Sequence, residues 1–124
     1  PMDKLFIEAT KDTPEIVFDK EKNYFHISGR SLPENAIEFY QPVIDWINAY
    51  EEAPNPKMIF NFKLEYFTTS SAKQIIKTFT LLEKLARKID LTICWHYKPS
   101  DNDMYEAGLK FSKLIKIPFT FQQC

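Results

Sequence analysis

Four consecutive hydroxyl residues, Thr68 to Ser71, stand where an alternating strand pattern runs into a helical one. Backbone N–H groups at a helix start have no partner inside the helix, and the helix dipole is positive there, so a phosphate is well accommodated at such a point. A phosphorylated Ser or Thr adds about −1.5 to −2 charges and three acceptor oxygens. The segment therefore has the chemistry of a phosphoacceptor site.

Helix capping is the competing interpretation of this segment. Ser and Thr are preferred N-cap residues, so a hydroxyl at a helix start requires no function. One hydroxyl is enough for a cap, however, and four in a row follow a strand of the kind whose loops often carry sites in α/β sheets. Lys73, one helical turn after Thr69, would lie near an added phosphate. Both interpretations stay open on these residues alone.

Three other groups of residues give weaker indications of a catalytic or metal-binding site. Cys94 and His96 would share one face of a strand, but the sequence offers neither an orienting third group nor an oxyanion site, so an enzyme using this pair is a minor alternative. His26 has no metal-ligand spacing around it. Asp101 to Asp103 resemble the start of a calcium loop without its glycine, and helix capping explains them better. We expect no metal and no cofactor.

Composition limits the remaining function classes. The 124 residues suit one domain, expected over residues 2–124, and 15% aromatic residues describe a packed core. With two glycines, no phosphate-cradling loop can form, which disfavours nucleotide hydrolases. Sixteen basic and seventeen acidic residues disfavour a nucleic-acid or anionic-membrane surface. Two cysteines without metal spacing, and no apolar run of about 20 residues, predict a cytoplasmic protein with reduced thiols.

Hydrophobic periodicity predicts the elements that position these residues. Strands are predicted at Lys4–Ala9, Glu15–Asp19, Tyr24–Ser28, Met58–Phe67, Leu91–Tyr97 and around Ile117–Phe121. Helices are predicted at Glu34–Glu52, Ser70–Ile89 and Met104–Leu114. The later strands alternate with helices, which indicates parallel crossovers, and alternation within the strands indicates that helices cover one sheet face. The other face then presents Asn61, Lys63, Glu65, Thr92, His96 and Thr120.

Several local details are predicted as well. Ser31, three residues before Glu34, is expected to cap the first helix. Pro42 inside that helix predicts a kink or two shorter helices. Tyr66 is expected to share the apolar side of its strand with Met58, and Phe67 to lie on the polar side. The second helix should bury a stripe formed by Ile75, Ile76, Phe79, Leu82, Ala86 and Ile89.

Four sequence blocks in the same order carry a resemblance that covers nearly the whole chain. They are Glu8–Glu15 (EATKDTPE), Ile27–Asn35 (ISGRSLPEN), Phe39–Val43 (FYQPV) and Leu64–Ser71 (LEYFTTSS). Together they resemble the SiaC family of bacterial regulatory phosphoproteins. The resemblance implies a STAS-like two-layer α/β sandwich, with a mixed sheet of about six strands and helices mainly on one face.

The resemblance also implies a non-catalytic switch. A dedicated protein kinase would phosphorylate one threonine, a PP2C-type phosphatase would remove the phosphate, and the unmodified form would bind a target such as a diguanylate cyclase. By motif the acceptor falls on Thr69. Thr68 stands where asparagine is usual in the family and is a competing acceptor.

The partner-binding surface expected from the sequence comprises the end of the strand and the first turn of the helix, namely Glu65, Tyr66, Thr68, Thr69, Ser70, Ser71 and Lys73. The alternative is a STAS-type module that binds a small ligand or a protein without phosphorylation.

Overall fold

The computed structural model describes residues 2–124 and has six strands and three helices. In chain order these are β1 (Leu5–Ile7), β2 (Glu15–Asp19), β3 (Tyr24–Ser31), α1 (Ala36–Tyr50), β4 (Lys57–Phe67), α2 (Thr69–Leu85), β5 (Asp90–Tyr97), α3 (Asn102–Leu114) and β6 (Phe119–Gln123). All six strands form one sheet in the order β1-β2-β3-β4-β5-β6. The first three are antiparallel, and each later strand is parallel to the one before it. The predicted mixed sheet with parallel crossovers is confirmed.

The three helices cover one face of this sheet. Trp46 of α1 packs on Phe18 with ring centroids 5.3 Å apart, and Phe79 of α2 packs on Phe62 at 5.0 Å. On this face the inner strands β2 to β5 supply most of the buried core, because helices cover them, whereas the edge strands β1 and β6 are only partly buried. The opposite face carries a row of smaller or polar side chains, aligned across neighbouring strands as Val17, His26, Asn61, Cys94 and Thr120. This confirms the predicted two-layer architecture.

The start of α1 differs from the prediction. The helix begins at Ala36, and the side chain of Asn35 accepts a hydrogen bond of 3.0 Å from the Glu38 amide. Ser31 is not the cap, because β3 continues to that residue and its hydroxyl lies in the core, with an exposure of 0%. Ser31 and Glu34 have the spacing of a capping box. Ser31 nevertheless pairs with β4 and is the last residue of a strand, so it cannot cap the helix.

Pro42 does not divide α1, which is continuous from Ala36 to Tyr50. Of the two expected outcomes, a kink or two shorter helices, the second is therefore wrong. Pro42 and Glu38, whose carbonyl loses its helical partner, both lie on the exposed side of the helix. Water can bond that carbonyl there, which makes the proline tolerable.

A register shift beside Gly29 sets the direction of the chain at the end of β4. Pairing steps from Gly29 opposite Leu64 to Arg30 opposite Tyr66. Gly29 has φ of +115°, a conformation that disfavours any side chain. The shift turns Phe67 inward and leaves Tyr66 48% exposed, so the predicted sides of these two residues are exchanged.

Candidate functional site

The four hydroxyl residues occupy different environments at the start of α2. Thr68 is the N-cap, and its hydroxyl oxygen accepts a hydrogen bond of 3.1 Å from the Ser71 amide. Thr69 and Ser70 are the first two helical residues and are exposed. Ser71 is fully buried. A segment that reads as uniform in sequence is therefore divided into a cap, an exposed pair and an interior residue.

Ser71 belongs to a buried chain of hydroxyl groups. The Ser31 hydroxyl donates to the Ser71 hydroxyl over 2.8 Å, and the Ser71 hydroxyl donates to the Ser31 carbonyl over 3.0 Å. The Thr68 hydroxyl donates to Ser71 over 3.1 Å. The remaining bond, 2.7 Å between Ser31 and Tyr40, is completed if Tyr40 donates. Each hydroxyl then donates once, so the buried polar groups are satisfied.

This hydroxyl chain joins three elements. Tyr40 lies on α1, Ser31 ends β3, and Ser71 lies in the first turn of α2. Burial raises the pKa of Tyr40 to about 12, against a smaller lowering by its hydrogen bond to Ser31, so its hydroxyl keeps the proton that it donates. The Thr68 amide also donates to the Ser31 carbonyl over 3.1 Å. The start of α2 is thus anchored to both neighbouring elements.

Exposure separates the two threonines that the sequence left in competition. The Thr68 hydroxyl is half-buried and takes part in hydrogen bonds as donor and acceptor. The hydroxyls of Thr69 and Ser70 are exposed and have no hydrogen-bond partner among residues 2–124. A phosphate on Thr68 would remove the cap, whereas one on Thr69 would displace nothing. The geometry favours Thr69 over Thr68, and its role as acceptor stays a prediction.

The charge at the start of α2 differs from that at the other two helices. Glu38 lies in the first turn of α1 and Asp103 in that of α3, but the first turn of α2 contains no acidic residue. Lys73, one turn further on, is exposed. An anion here meets the positive end of a helix with no carboxylate in the first turn to oppose it.

The rest of the predicted partner surface is only partly assembled around Thr69. Glu65 and Tyr66 are exposed at the end of β4, where the Arg30 guanidinium lies 5.8 Å from the centre of the Tyr66 ring. Ser71 is buried, so it can act on a partner only by holding Thr68 in place.

A depression of about 360 Å³ between the starts of α1 and α2 brings Ser70 and Lys73 together with Ile37. Ile37 is 64% exposed, and Ile76, one turn after Lys73 on α2, is 40% exposed. The sequence pattern placed Ile76 in the buried stripe of the second helix, which is wrong. Each follows a residue that already fills the inward position, Ala36 and Ile75, and that spacing places the next residue outside. Exposed apolar side chains beside a candidate switch are typical of a protein contact.

Cys94 and His96 lie on the same face of β5. No hydrogen bond joins the two side chains in the described chain, and His96 Nε2 instead lies 2.9 Å from Asn61 Oδ1. Burial lowers the pKa of His96, and the positive charges of Lys63 and His26 lower it further. Within residues 2–124, no cluster of His, Cys, Asp or Glu is placed to hold a metal, and no helix is long and apolar enough to cross a membrane.

Known proteins are similar to this chain in sequence and in fold. A family model described as SiaC family regulatory phosphoprotein matches residues 7–124. An uncharacterised protein of Pseudomonas aeruginosa, strain UCBPP-PA14, is 30% identical over 124 residues, which span 98% of this chain and 97% of that protein. The crystal structure of apo-SiaC from Pseudomonas aeruginosa matches with a TM-score of 0.89 and 29% identity, covering 98% of this chain and 99% of that one. A structure of the diguanylate cyclase SiaD in complex with its activator SiaC, from the same organism, matches with a TM-score of 0.90 and 28% identity, covering 97% and 99%.

Proposed function

Because the chain belongs to the SiaC family of regulatory phosphoproteins, we propose that it is a signalling switch without catalytic activity, which binds and activates a diguanylate cyclase. Binding is controlled at Thr69. A cognate protein kinase adds a phosphate there, a PP2C-type phosphatase removes it, and the unmodified form is the active one. The switch works in the cytoplasm, where reduced cysteines such as Cys94 and Cys124 are the rule.

The observation that carries this proposal is the free hydroxyl of Thr69 at a helix start whose first turn has no acidic residue. A kinase can reach this hydroxyl without unfolding the helix. The phosphate is compatible with the fold, since a negative charge at a helix N-terminus stabilises it by about 0.3–1 kcal/mol.

The phosphate must act at the interface itself. Moving a complex from mostly bound to mostly free requires about 5.5 kcal/mol of differential affinity, which exceeds any effect on the helix dipole. Direct repulsion and desolvation of a doubly charged group within the contact are of the required size. The cyclase is therefore proposed to pack on the first turn of α2.

The proposed contact has an apolar centre and a polar edge. We assign the exposed Ile37 and Ile76 to the centre and the exposed Lys73 and Tyr66 to the edge. Apolar and aromatic anchors usually dominate the binding energy of such surfaces, and the polar edge sets orientation. A phosphate on Thr69 would lie in the same exposed stripe of α2 as Lys73 and Ile76.

The deciding experiment incubates the protein with its cognate kinase and ATP, followed by intact-mass measurement and peptide mapping. We expect one phosphate, located on Thr69, which the phosphatase removes. The Thr69→Ala variant should gain no mass, whereas the matched Ser70→Ala variant should be phosphorylated normally. If a kinase that phosphorylates a reference SiaC protein adds nothing here, the STAS-type module without phosphorylation becomes the better interpretation.

A further inference from the structure

The last strand of the sheet, β6, has a free outer edge. It lies at one end of the sheet and pairs with β5, while β1 lies at the other end. On the helical side, Tyr105 of α3 packs on Phe121 and Phe79 of α2 packs on Phe119, with ring centroids 5.6 and 5.7 Å apart. Within residues 2–124, no strand pairs with the outer edge of β6, so its backbone groups there can accept another strand.

The pairing with β5 determines which backbone groups of β6 point outward. At the two ends of this parallel pair, the Ile93 amide donates to the Pro118 carbonyl over 2.9 Å, and the Cys124 amide donates to the Tyr97 carbonyl over 3.0 Å. Alternate residues of a strand turn their N–H and C=O groups to the same neighbour, so Pro118 and every second residue after it bond β5. The residues that turn these groups outward are Phe119, Phe121 and Gln123.

The two edges of the sheet differ in their protection. Charged residues, prolines or a very short strand usually keep an edge from pairing with another chain. The β1 strand has three residues and is flanked by Lys4 and Glu8. The β6 strand has five residues, and residues 117–124 include no Lys, Arg, Asp or Glu. Pro118 precedes the strand and turns toward β5, so it does not protect the outer edge.

We propose that β6 pairs with β6 of a second copy of this chain, antiparallel and centred on Phe121. Phe121 then lies opposite Phe121 of the second copy, and Phe119 lies opposite Gln123 of the second copy. In this register each outward N–H meets an outward C=O of the other copy. The contact is isologous and covers the free edge of both copies, and the protected β1 edge ends the assembly at a dimer.

The side chains on both faces suit this register. On the face without helices, Thr120 lies opposite Gln122 of the second copy, and both of these polar side chains are exposed in the single chain. On the helical face, the half-buried Phe119 and Phe121 gain further apolar contact. Because β6 has no charged side chain, the pairing brings no like charges together within the strand pair.

Sedimentation of the whole, unmodified protein tests the association. The chain has a mass of 14.7 kDa, and we expect a species of twice this mass that increases with concentration. A contact between two strands is small, so the measurement extends to about 500 µM. A protein that stays at 14.7 kDa over the whole range would overturn the proposal. The association does not require Thr69, so its outcome is independent of the proposed switch.

A backbone variant tests whether the free edge forms the contact. Gln123→Pro removes an outward N–H without removing a hydrogen bond to β5. We expect it to weaken the dimer about tenfold or more, because two symmetric hydrogen bonds are lost. Gln123→Ala is the matched control, which keeps the N–H and should dimerise like the parent. Equal dimerisation of the proline and alanine variants would contradict pairing through this edge.

Cysteine variants test the register. Cys94 lies opposite Thr120 on β5, so both natural cysteines are first replaced, by Cys94→Ala and Cys124→Ser. Thr120→Cys and Gln122→Cys are then made separately, mixed and oxidised. The proposed register places these two positions directly opposite each other, within reach of a disulfide, whereas two copies of one variant hold their cysteines diagonally, about 7–8 Å apart. We expect a covalent dimer that contains one copy of each variant. Equal cross-linking within each variant alone, or none in the mixture, would overturn the proposed pairing.

Discussion

The hydroxyl of Ser31 donates a hydrogen bond to the hydroxyl of Ser71 across 2.8 Å, and both side chains are completely buried. Forty positions separate these residues in the chain. Through this contact the end of β3 fixes the first turn of α2, which also contains the candidate acceptor Thr69, two residues before Ser71. The buried hydroxyls of Ser31 and Ser71 therefore hold the helix start in place, while the hydroxyl of Thr69 remains exposed to solvent.

Replacing Ser71 by Ala should destabilise the protein. The Thr68 and Ser31 hydroxyls would both lose their acceptor inside the protein, and one unsatisfied buried group costs about 1–3 kcal/mol. We expect a loss of this size in the free energy of unfolding, measured by urea denaturation. The matched Ser70→Ala variant, at an exposed position, should stay within about 0.5 kcal/mol of the parent. Equal losses in both variants would contradict the role of the hydroxyl chain.

Thr69→Asp should lower the affinity for the cyclase without lowering the stability of the fold. The new carboxylate faces a helix N-terminus, so the free energy of unfolding should be unchanged or rise by about 0.3–1 kcal/mol. Affinity for the cyclase should nevertheless fall by about 2 kcal/mol or more, since a charge is desolvated in the contact. Calorimetry measures the affinity, and Thr69→Asn is the neutral control of the same shape. If the aspartate and asparagine variants bind alike, charge is not the signal.

Truncating the exposed isoleucines should weaken cyclase binding without unfolding the protein. Ile37→Ala and Ile76→Ala each remove apolar area from the proposed contact, and we expect a loss of about 1–2 kcal/mol in binding energy for each. Leu114, which is 68% exposed at the end of α3, provides the control, because Leu114→Ala removes a similar side chain elsewhere. A larger loss of cyclase affinity in Leu114→Ala than in the isoleucine variants would indicate that the cyclase contacts α3 instead.

His96 should make stability depend on pH. Its pKa in the folded state lies below the ordinary value of 6.5, so the unfolded chain binds more protons in this range. The stabilising contribution of neutral His96 is present above that value and is lost as the pH falls toward the folded-state pKa. Urea unfolding between about pH 7.5 and pH 5 should therefore show a loss of stability that is smaller in His96→Gln. Identical pH profiles for the two proteins would refute this.

Periodicity was sufficient to predict most of the fold. The β2 strand was predicted with its observed bounds, and the sheet faces of Asn61 and His96 were predicted correctly, because alternation in a half-covered sheet directly records which side is buried. The periodicity also predicts that the four hydroxyl residues stand at a helix start, because the pattern changes its period there, and the structure confirms this position.

The errors arose where tertiary contacts decided between local possibilities. Ser31 satisfied a capping pattern, yet pairing with β4 drew it into the sheet. The positive φ of Gly29 shifted the register and exchanged the sides of Tyr66 and Phe67, which a strict period of two does not allow for. Ile76 is apolar in a helix with an already filled inward stripe, and composition alone does not distinguish a core residue from a contact residue.

The sheet is assembled in the same order as its strands follow in the chain. Each new strand therefore finds its neighbour already synthesised, and no gap must be held open for a later segment. During synthesis on the ribosome the meander from β1 to β3 can form first, but the buried Ser31 hydroxyl gains its partner on Ser71 only after β4 has emerged. The first turn of α2, with the proposed acceptor Thr69, thus gains its buried support only after most of the sheet exists, and a kinase acting on Thr69 as proposed would select chains that have completed this part of the fold.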